Sequence, residues 1–268
     1  YWSVFGQVII LGLIQIGGLG VVTVAASFAL LSGRKISLMQ RSTMQDAISA
    51  PKVGGIVRLT RFILRGTFLI ELLGTLAMLP VFCRDYGLRG VWMAMFHSIS
   101  AFCNAGFDIL GGGQSMVPYT DNIFLNIITC VLIFFGGIGF LVIQELWQKK
   151  CQWKKLSMHT KVVLSVSLAL IIIGTLLIKL TEPVSWLCAL FHSVSTRTAG
   201  FASRPIGDFG APALLVMIVL MFIGASSGST GGGIKTSTFF VLIRGIFSAA
   251  TNQSEKAFHY SIPKDAFK

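Results

Sequence analysis

The sequence predicts an all-α integral membrane protein built from repeats of a spanning helix, a short re-entrant half-helix and a second spanning helix. Three observations carry that expectation. Of the 268 residues, 54% are hydrophobic and only 12% are charged, with a mean hydropathy of +0.78, a balance that soluble domains of this length rarely show. The apolar sequence falls into stretches near the roughly 20 residues that a helix needs to cross hydrocarbon, alternating with stretches of about a dozen that are too short. The whole pattern then recurs along the chain, which marks an internal repeat.

Residues 4–31 contain no Asp, Glu, Lys or Arg and read as a first spanning helix. The polar, basic stretch 32–61 follows, with Pro51, Gly54 and Gly55 as breakers. Its Arg34, Lys35, Arg41, Lys52, Arg58 and Arg61 place it in the cytoplasm by the positive-inside rule. Residues 62–82 return outward with one acid, Glu71, and 91–102 are apolar but too short to span. A glycine-rich segment, 106–113, comes next, and the charge-free stretch 122–144 crosses inward to Lys149, Lys150, Lys154, Lys155 and Lys161. The same events then repeat: 161–180 outward, 184–196 short and apolar, 197–210 polar, 211–246 inward, and a polar cytoplasmic tail over 247–268. The count is about five spanning helices and two half-helices. The expected units are 1–61, 62–160, 161–246 and 247–268.

Residue identity supports the repeat. Phe96-His97-Ser98-Ile99-Ser100 recurs as Phe191-His192-Ser193-Val194-Ser195, and Ala105-Gly106-Phe107 as Ala199-Gly200-Phe201. The outward helices share Gly74-Thr75-Leu76 and Gly174-Thr175-Leu176, and the inward ones Gly17-Gly18-Leu19-Gly20 and Gly136-Gly137-Ile138-Gly139. Both complete units have the same orientation, whereas an inverted-repeat transporter would alternate.

Irregular backbone survives at membrane depth only where protein buries it or it lines a watery cavity. A half-helix followed by glycine-bearing backbone therefore implies a cavity. Carbonyl oxygens there can replace the hydration shell of a cation, and the C-terminal end of each half-helix adds partial negative charge. A membrane enzyme would need convergent acids and nucleophiles in the crossings, which hold almost no acid besides Glu71.

On Ile14-Gln15-Ile16-Gly17-Gly18-Leu19-Gly20, Ser100-Ala101-Phe102-Cys103-Asn104-Ala105-Gly106-Phe107, Thr196-Arg197-Thr198-Ala199-Gly200-Phe201 and Gly228-Ser229-Thr230-Gly231-Gly232-Gly233-Ile234-Lys235-Thr236, nearly the whole chain resembles the pore-forming subunits of the Trk/Ktr/HKT potassium-transport superfamily, most closely the bacterial Ktr and Trk type. The resemblance implies a pseudo-tetramer of four helix–pore loop–helix repeats, as in a potassium channel, each giving one strand to a selectivity filter. The strands here would be Cys103, Asn104, Ala105 and Gly106, and Arg197, Thr198, Ala199 and Gly200. Only the closing helix of the first repeat is expected in the chain, and none of the fourth.

The family comparison makes Gly224, Ala225, Ser226, Ser227, Gly228, Ser229, Thr230, Gly231, Gly232 and Gly233, with Lys235 beside them, an intramembrane gating loop. It implies K+ as the transported ion with Na+ as a second candidate, no covalent cofactor, a homodimer, a cytoplasmic nucleotide-binding regulatory ring, and a multi-pass place in the bacterial inner membrane in contact with lipid. The alternative is a secondary transporter coupled to Na+ or H+. The basic connections 32–61 and 145–161 are the candidate docking surface for the ring, against the simpler reading that they set topology and touch anionic lipid.

Other residues have plainer readings. Arg197 would repel a cation and is expected to brace its loop; Glu71 is expected to pack or brace. His97 and His192 are expected to be packing residues, not metal ligands. The five cysteines lack metal or disulfide spacing, the Gly231 to Thr236 run lacks Walker spacing, and the basic clusters lack the aromatics of a nucleic-acid surface.

Overall fold

The computed structural model describes residues 2–20, 24, 56–251, 256–257 and 260–261. The described residues form helices α1 (Val4–Leu19), α2 (Ile56–Tyr86), α3 (Arg89–Phe102), α4 (Ile123–Ile138), α5 (Phe140–Gln148), α6 (Met158–Thr181), α7 (Trp186–Ser195), α8 (Ala211–Phe222) and α9 (Thr236–Thr251). A two-residue pairing of Lys256–Ala257 with Tyr260–Ser261 closes the described tail. The basic stretch expected over 32–61 lies outside the described residues up to position 55.

Local chemistry sets the helix starts. Asn122 Oδ1 accepts from Leu125 N at 3.0 Å, and Ser185 Oγ from Cys188 N at 3.1 Å, each satisfying an otherwise orphaned N–H. Ser157 caps α6 in the same way at 3.3 Å. Pro212 stands in the first turn of α8, where its missing N–H leaves no bond unmade.

Among the described residues two helices, α2 and α6, are long and apolar enough to cross a membrane, and the α4–α5 pair qualifies as a third, bent span. Their outer faces carry exposed Phe68, Leu69, Leu72, Leu73 and Leu76 on α2 and Leu168, Ile172 and Ile173 on α6, a surface suited to lipid. The half-helices sit inside: α3 packs on α1, α2 and α4, and α7 on α4, α6 and α8. Phe82, Phe96, Phe102, Met78 and Met93 are fully buried around α3. Lipid tails are as apolar as these side chains, so dispersion and hydrogen bonds hold the bundle together more than water exclusion does.

The predicted half-helices at 91–102 and 184–196 appear as α3 and α7. The single helix expected over 122–144 is interrupted, and the crossing over 211–246, whose Gly224 to Gly233 run is too rich in Gly and Ser to stay helical, breaks there as expected. In the first, α4 and α5 meet at 96° across Gly139, whose φ of 91° lies in the left-handed region that a side chain resists. In the second, the chain leaves helix after Phe222 and resumes it at Thr236. Of the first helix, expected over 4–31, residues 21–23 and 25–31 lie outside the described residues; Gly20, with a φ of 79°, stands at the place in its Gly-Gly-Leu-Gly run that Gly139 occupies in the other.

Candidate functional site

Each half-helix ends by spending its last carbonyls on the strand that follows. Ser100 O accepts from Ala105 N at 2.9 Å; Ser195 O accepts from Ala199 N at 2.9 Å and Gly200 N at 3.2 Å. The strands' N–H groups, all but that of Gly106, are thereby bonded back to the helix ends. Their φ angles alternate in sign: positive at Asn104 (51°) and Gly106 (70°), again at Thr198 (72°) and Gly200 (95°), negative at Ala105 and Ala199 between them. Such alternation turns successive carbonyls toward one side of a strand. Among the described residues none of the carbonyls of 103–106 or 197–200 accepts a hydrogen bond, although unpaired backbone acceptors away from water are costly.

The two strands meet. A Cβ on Gly106 would stand 2.3 Å from Ala199 O and 2.8 Å from Gly200 Cα, so only glycine fits there. The segments beyond them are tied together as well: Met116 N donates to Ala202 O at 2.9 Å, Ala202 N to Ser115 Oγ at 3.0 Å, and Thr120 Oγ1 to Ser203 O. Tyr119 hydroxyl donates to Asp85 at 2.8 Å; burial, then that carboxylate, pushes the phenol's pKa up.

Behind the strands the support is repeated. Ser98 Oγ donates to Glu71 O at 2.7 Å and Ser193 Oγ to Ile171 O at 2.9 Å, tying each half-helix to its outer helix. Ser100 Oγ and Ser195 Oγ donate across each loop to Phe107 O and Phe201 O, at 2.8 and 2.5 Å. These serines lie in the repeated motif, which gave their equivalence but not their bonds.

The charged groups differ between the units. The Glu71 carboxyl accepts from Gln15 Nε2 at 3.1 Å and from Cys103 Sγ at 3.7 Å, joining α1, α2 and the first strand. Arg197 points outward and donates through Nη1 to Ser167 O on α6 at 3.0 Å. His97 donates from Nδ1 to Met93 O at 2.7 Å and stacks on Phe82, while His192 packs edge-on against Phe209; both are buried.

The interrupted inner helix docks its loop beneath the strands. Ile223 and Ile234 form a parallel bridge, and Gly224 N, Ala225 N and Ile234 N bond to Ile234 O, Gly232 O and Phe222 O, so the loop closes on itself. Thr230 Oγ1 donates to Phe102 O at 2.9 Å and accepts from Asn104 Nδ2 at 2.7 Å. Gly232 N donates to Thr198 Oγ1 at 3.1 Å, so the loop holds both strands. Lys235 Nζ caps Gly231 O at 2.9 Å within the loop.

The bend at Gly139 has its partner here. Ser226 N and Thr230 N donate to Gly137 O and Gly136 O, and Phe140 N, freed by the bend, donates to Gly228 O at 2.9 Å. The far end of α5 is held at Glu145, which accepts from Lys149 Nζ at 2.5 Å, Ser157 N at 2.8 Å and Ser157 Oγ at 2.6 Å. The structure thus brings together Asn104, Gly106, Thr198, Gly200, Thr230 and Lys235 from the sequence's candidates, and adds Phe102, Gly139 and Phe140, whose backbone roles no residue type announces.

A family model described as TrkH, cation transport protein, matches residues 1–182 and 156–267 of the chain. The chain belongs to the TrkH cation transport protein family. Within that family it is 37% identical to the Ktr system potassium uptake protein B of Vibrio alginolyticus over 90% of this chain and 56% of that one. It is 34% identical to the potassium/sodium uptake protein NtpJ of Enterococcus hirae, over 91% of this chain and 56% of that one. It therefore spans about half the length of the curated relatives it matches. The crystal structure of the potassium transporter TrkH from Vibrio parahaemolyticus superposes with a TM-score of 0.65 at 20% identity, covering 85% of this chain and 51% of that one, a likeness of fold. TrkH membership and the lipid-suited helices make this a multi-pass membrane protein of a transport family rather than an enzyme class.

Proposed function

We propose that the chain forms part of the K+ pathway of a Ktr/Trk-type uptake system, with the carbonyls of Cys103 to Gly106 and Arg197 to Gly200 contributing two of four filter strands. The observation that carries this reading is the pair of adjoining strands whose N–H groups, all but that of Gly106, are engaged and whose carbonyls are free. A cation is the partner such carbonyls need, since it is offered oxygen in place of water. The relatives named for potassium uptake support K+ as that cation. The naming of the Enterococcus hirae relative for potassium and sodium favours a second reading in which Na+ also passes or is coupled.

The loop from Gly224 to Gly233 is the gate in this reading, with Lys235 adding positive charge against a cation at its edge. The connections 145–161 and 56–61 are the described parts of a surface on which a nucleotide-binding ring docks, in a homodimer. The test is made in the full-length protein: Gly106→Ser and Gly200→Ser are each expected to lower K+ over Na+ selectivity in flux assays on proteoliposomes. Selectivity at the parent level in both folded variants rules the filter assignment out.

A further inference from the structure

Away from the strands, α2, α4, α5 and the start of α6 enclose a cavity of about 820 Å³, open on the membrane face. Its walls are apolar, from Leu69 and Leu73 on α2, Ile127 and Phe135 on α4 and Leu164 on α6. The bend at Gly139 supplies the floor by turning Ile143, Leu146 and Trp147, one stripe of α5, toward the cavity. One charged residue lines it. Lys150 stands past the end of α5 at a left-handed φ of 48°.

The lysine's surroundings are distinctive. Its neighbour Lys149 is paired with Glu145 at 2.5 Å, whereas Lys150 makes no hydrogen bond or ion pair among the described residues. Trp147 beside it is 76% exposed, as tryptophans at the membrane–water boundary are. The connection that follows carries Lys154 and Lys155, which sets this mouth at the cytoplasmic headgroup level. An apolar trough of acyl-chain dimensions thus opens beside an unpaired ammonium at the depth of lipid phosphates.

We propose that this groove binds an anionic phospholipid of the cytoplasmic leaflet, one acyl chain lying against α2 and α4 and the phosphate on Lys150. The walls accept any acyl chain, so selection comes from charge. A basic residue near the surface favours an anionic headgroup by about five-fold. A protein helix in the same trough would have to bury the Lys150 ammonium without an acid, which is unfavourable. The site stands apart from the filter and gate, assigns Lys150 of the 145–161 connection to lipid rather than to the ring, and rests only on the chain's place in the membrane.

The experiment uses the full-length protein in phosphatidylcholine vesicles containing brominated phosphatidylglycerol or, separately, brominated phosphatidylcholine. The difference in fluorescence between the parent and Trp147→Phe isolates the quenching of Trp147. Brominated phosphatidylglycerol is expected to quench Trp147 at about one-fifth the mole fraction that brominated phosphatidylcholine needs. Lys150→Gln should bring that ratio to about one, and Lys149→Gln, whose ammonium is already tied to Glu145, should leave it nearly unchanged. Equal quenching by the two lipids in the parent, or a preference that survives Lys150→Gln, overturns the site. Absence of quenching by either lipid overturns it too, because the groove is then covered by protein.

Discussion

The two complete repeats share a scaffold and differ in nearly everything that faces the strands. In both, a serine of the half-helix bonds a carbonyl of the outer helix and a second serine bonds across the loop. The inner helices diverge: the second repeat breaks at one glycine and bends by 96°, whereas the third opens into a loop closed by its own hydrogen bonds. Repetition thus secures the frame that sets strand geometry, and departure from it supplies the loop proposed as the gate. The bend and the loop are also made for each other, because Phe140 N, orphaned by the one, is satisfied by Gly228 O of the other.

The largest expected effect comes from where the second repeat admits the loop. A Cβ at Gly136 would lie 1.9 Å from Phe102 O and 2.8 Å from Thr230 Oγ1, while at Gly137 the nearest atoms are 3.8 Å away. Gly136→Ala must push α4 off the half-helix terminus, at a cost at or above the roughly 1–3 kcal/mol of an overpacked core. Gly137→Ala should be nearly neutral. Thermal unfolding of the two purified variants in detergent measures the contrast. Equal melting temperatures would mean that the close approach is not needed.

Next in size is the loop's grip on the second repeat. Thr230→Val keeps the side chain's shape and removes both hydrogen bonds of its hydroxyl, to Phe102 O and from Asn104. At about 0.6 kcal/mol for each membrane hydrogen bond, the docked loop loses roughly 1.2 kcal/mol, or about seven-fold in its population ratio. Flux without a regulator should rise by up to that factor, with selectivity held by the strands above. A folded variant with parent-level flux breaks the link between docking and gating.

Much of this was legible in the residues. The repeated Phe-His-Ser motif located both half-helices, and the Gly/Ser run from Gly224 to Gly233 declared that it would not stay helical. The bend at Gly139 was hidden because the Gly136-Gly137-Ile138-Gly139 run reads like the small residues that pack membrane helices; only its positive φ and the Gly228 contact reveal it. Helix α2 is described from Ile56, ahead of the expected 62; Arg58 and Arg61 read as loop, although basic residues at a helix end can reach the interface. Thr230 was placed in the gate, but its partners are a backbone carbonyl and an asparagine some 126 positions away, which no local pattern specifies.

The smallest expected effect tests whether the two strands differ in kind as well as in support. Behind the first stands Glu71, bonded to Gln15 and Cys103; from the second, Arg197 reaches back to Ser167 O on α6. If Glu71 acts as a brace, what it needs is an acceptor of the right shape, and Glu71→Gln keeps an oxygen for one of its two donors. The lost contact is worth about 1 kcal/mol, and a thiol is the weaker donor. The K+ to Na+ flux ratio of Glu71→Gln should then stay within about two-fold of the parent, a change smaller than 0.5 kcal/mol, while Glu71→Ala, which strands both donors, loses more stability. A Glu71→Gln variant as unselective as Gly106→Ser would instead mean that the carboxyl acts on the ion through its charge, and the two strands would be electrostatically opposed rather than merely braced by different means.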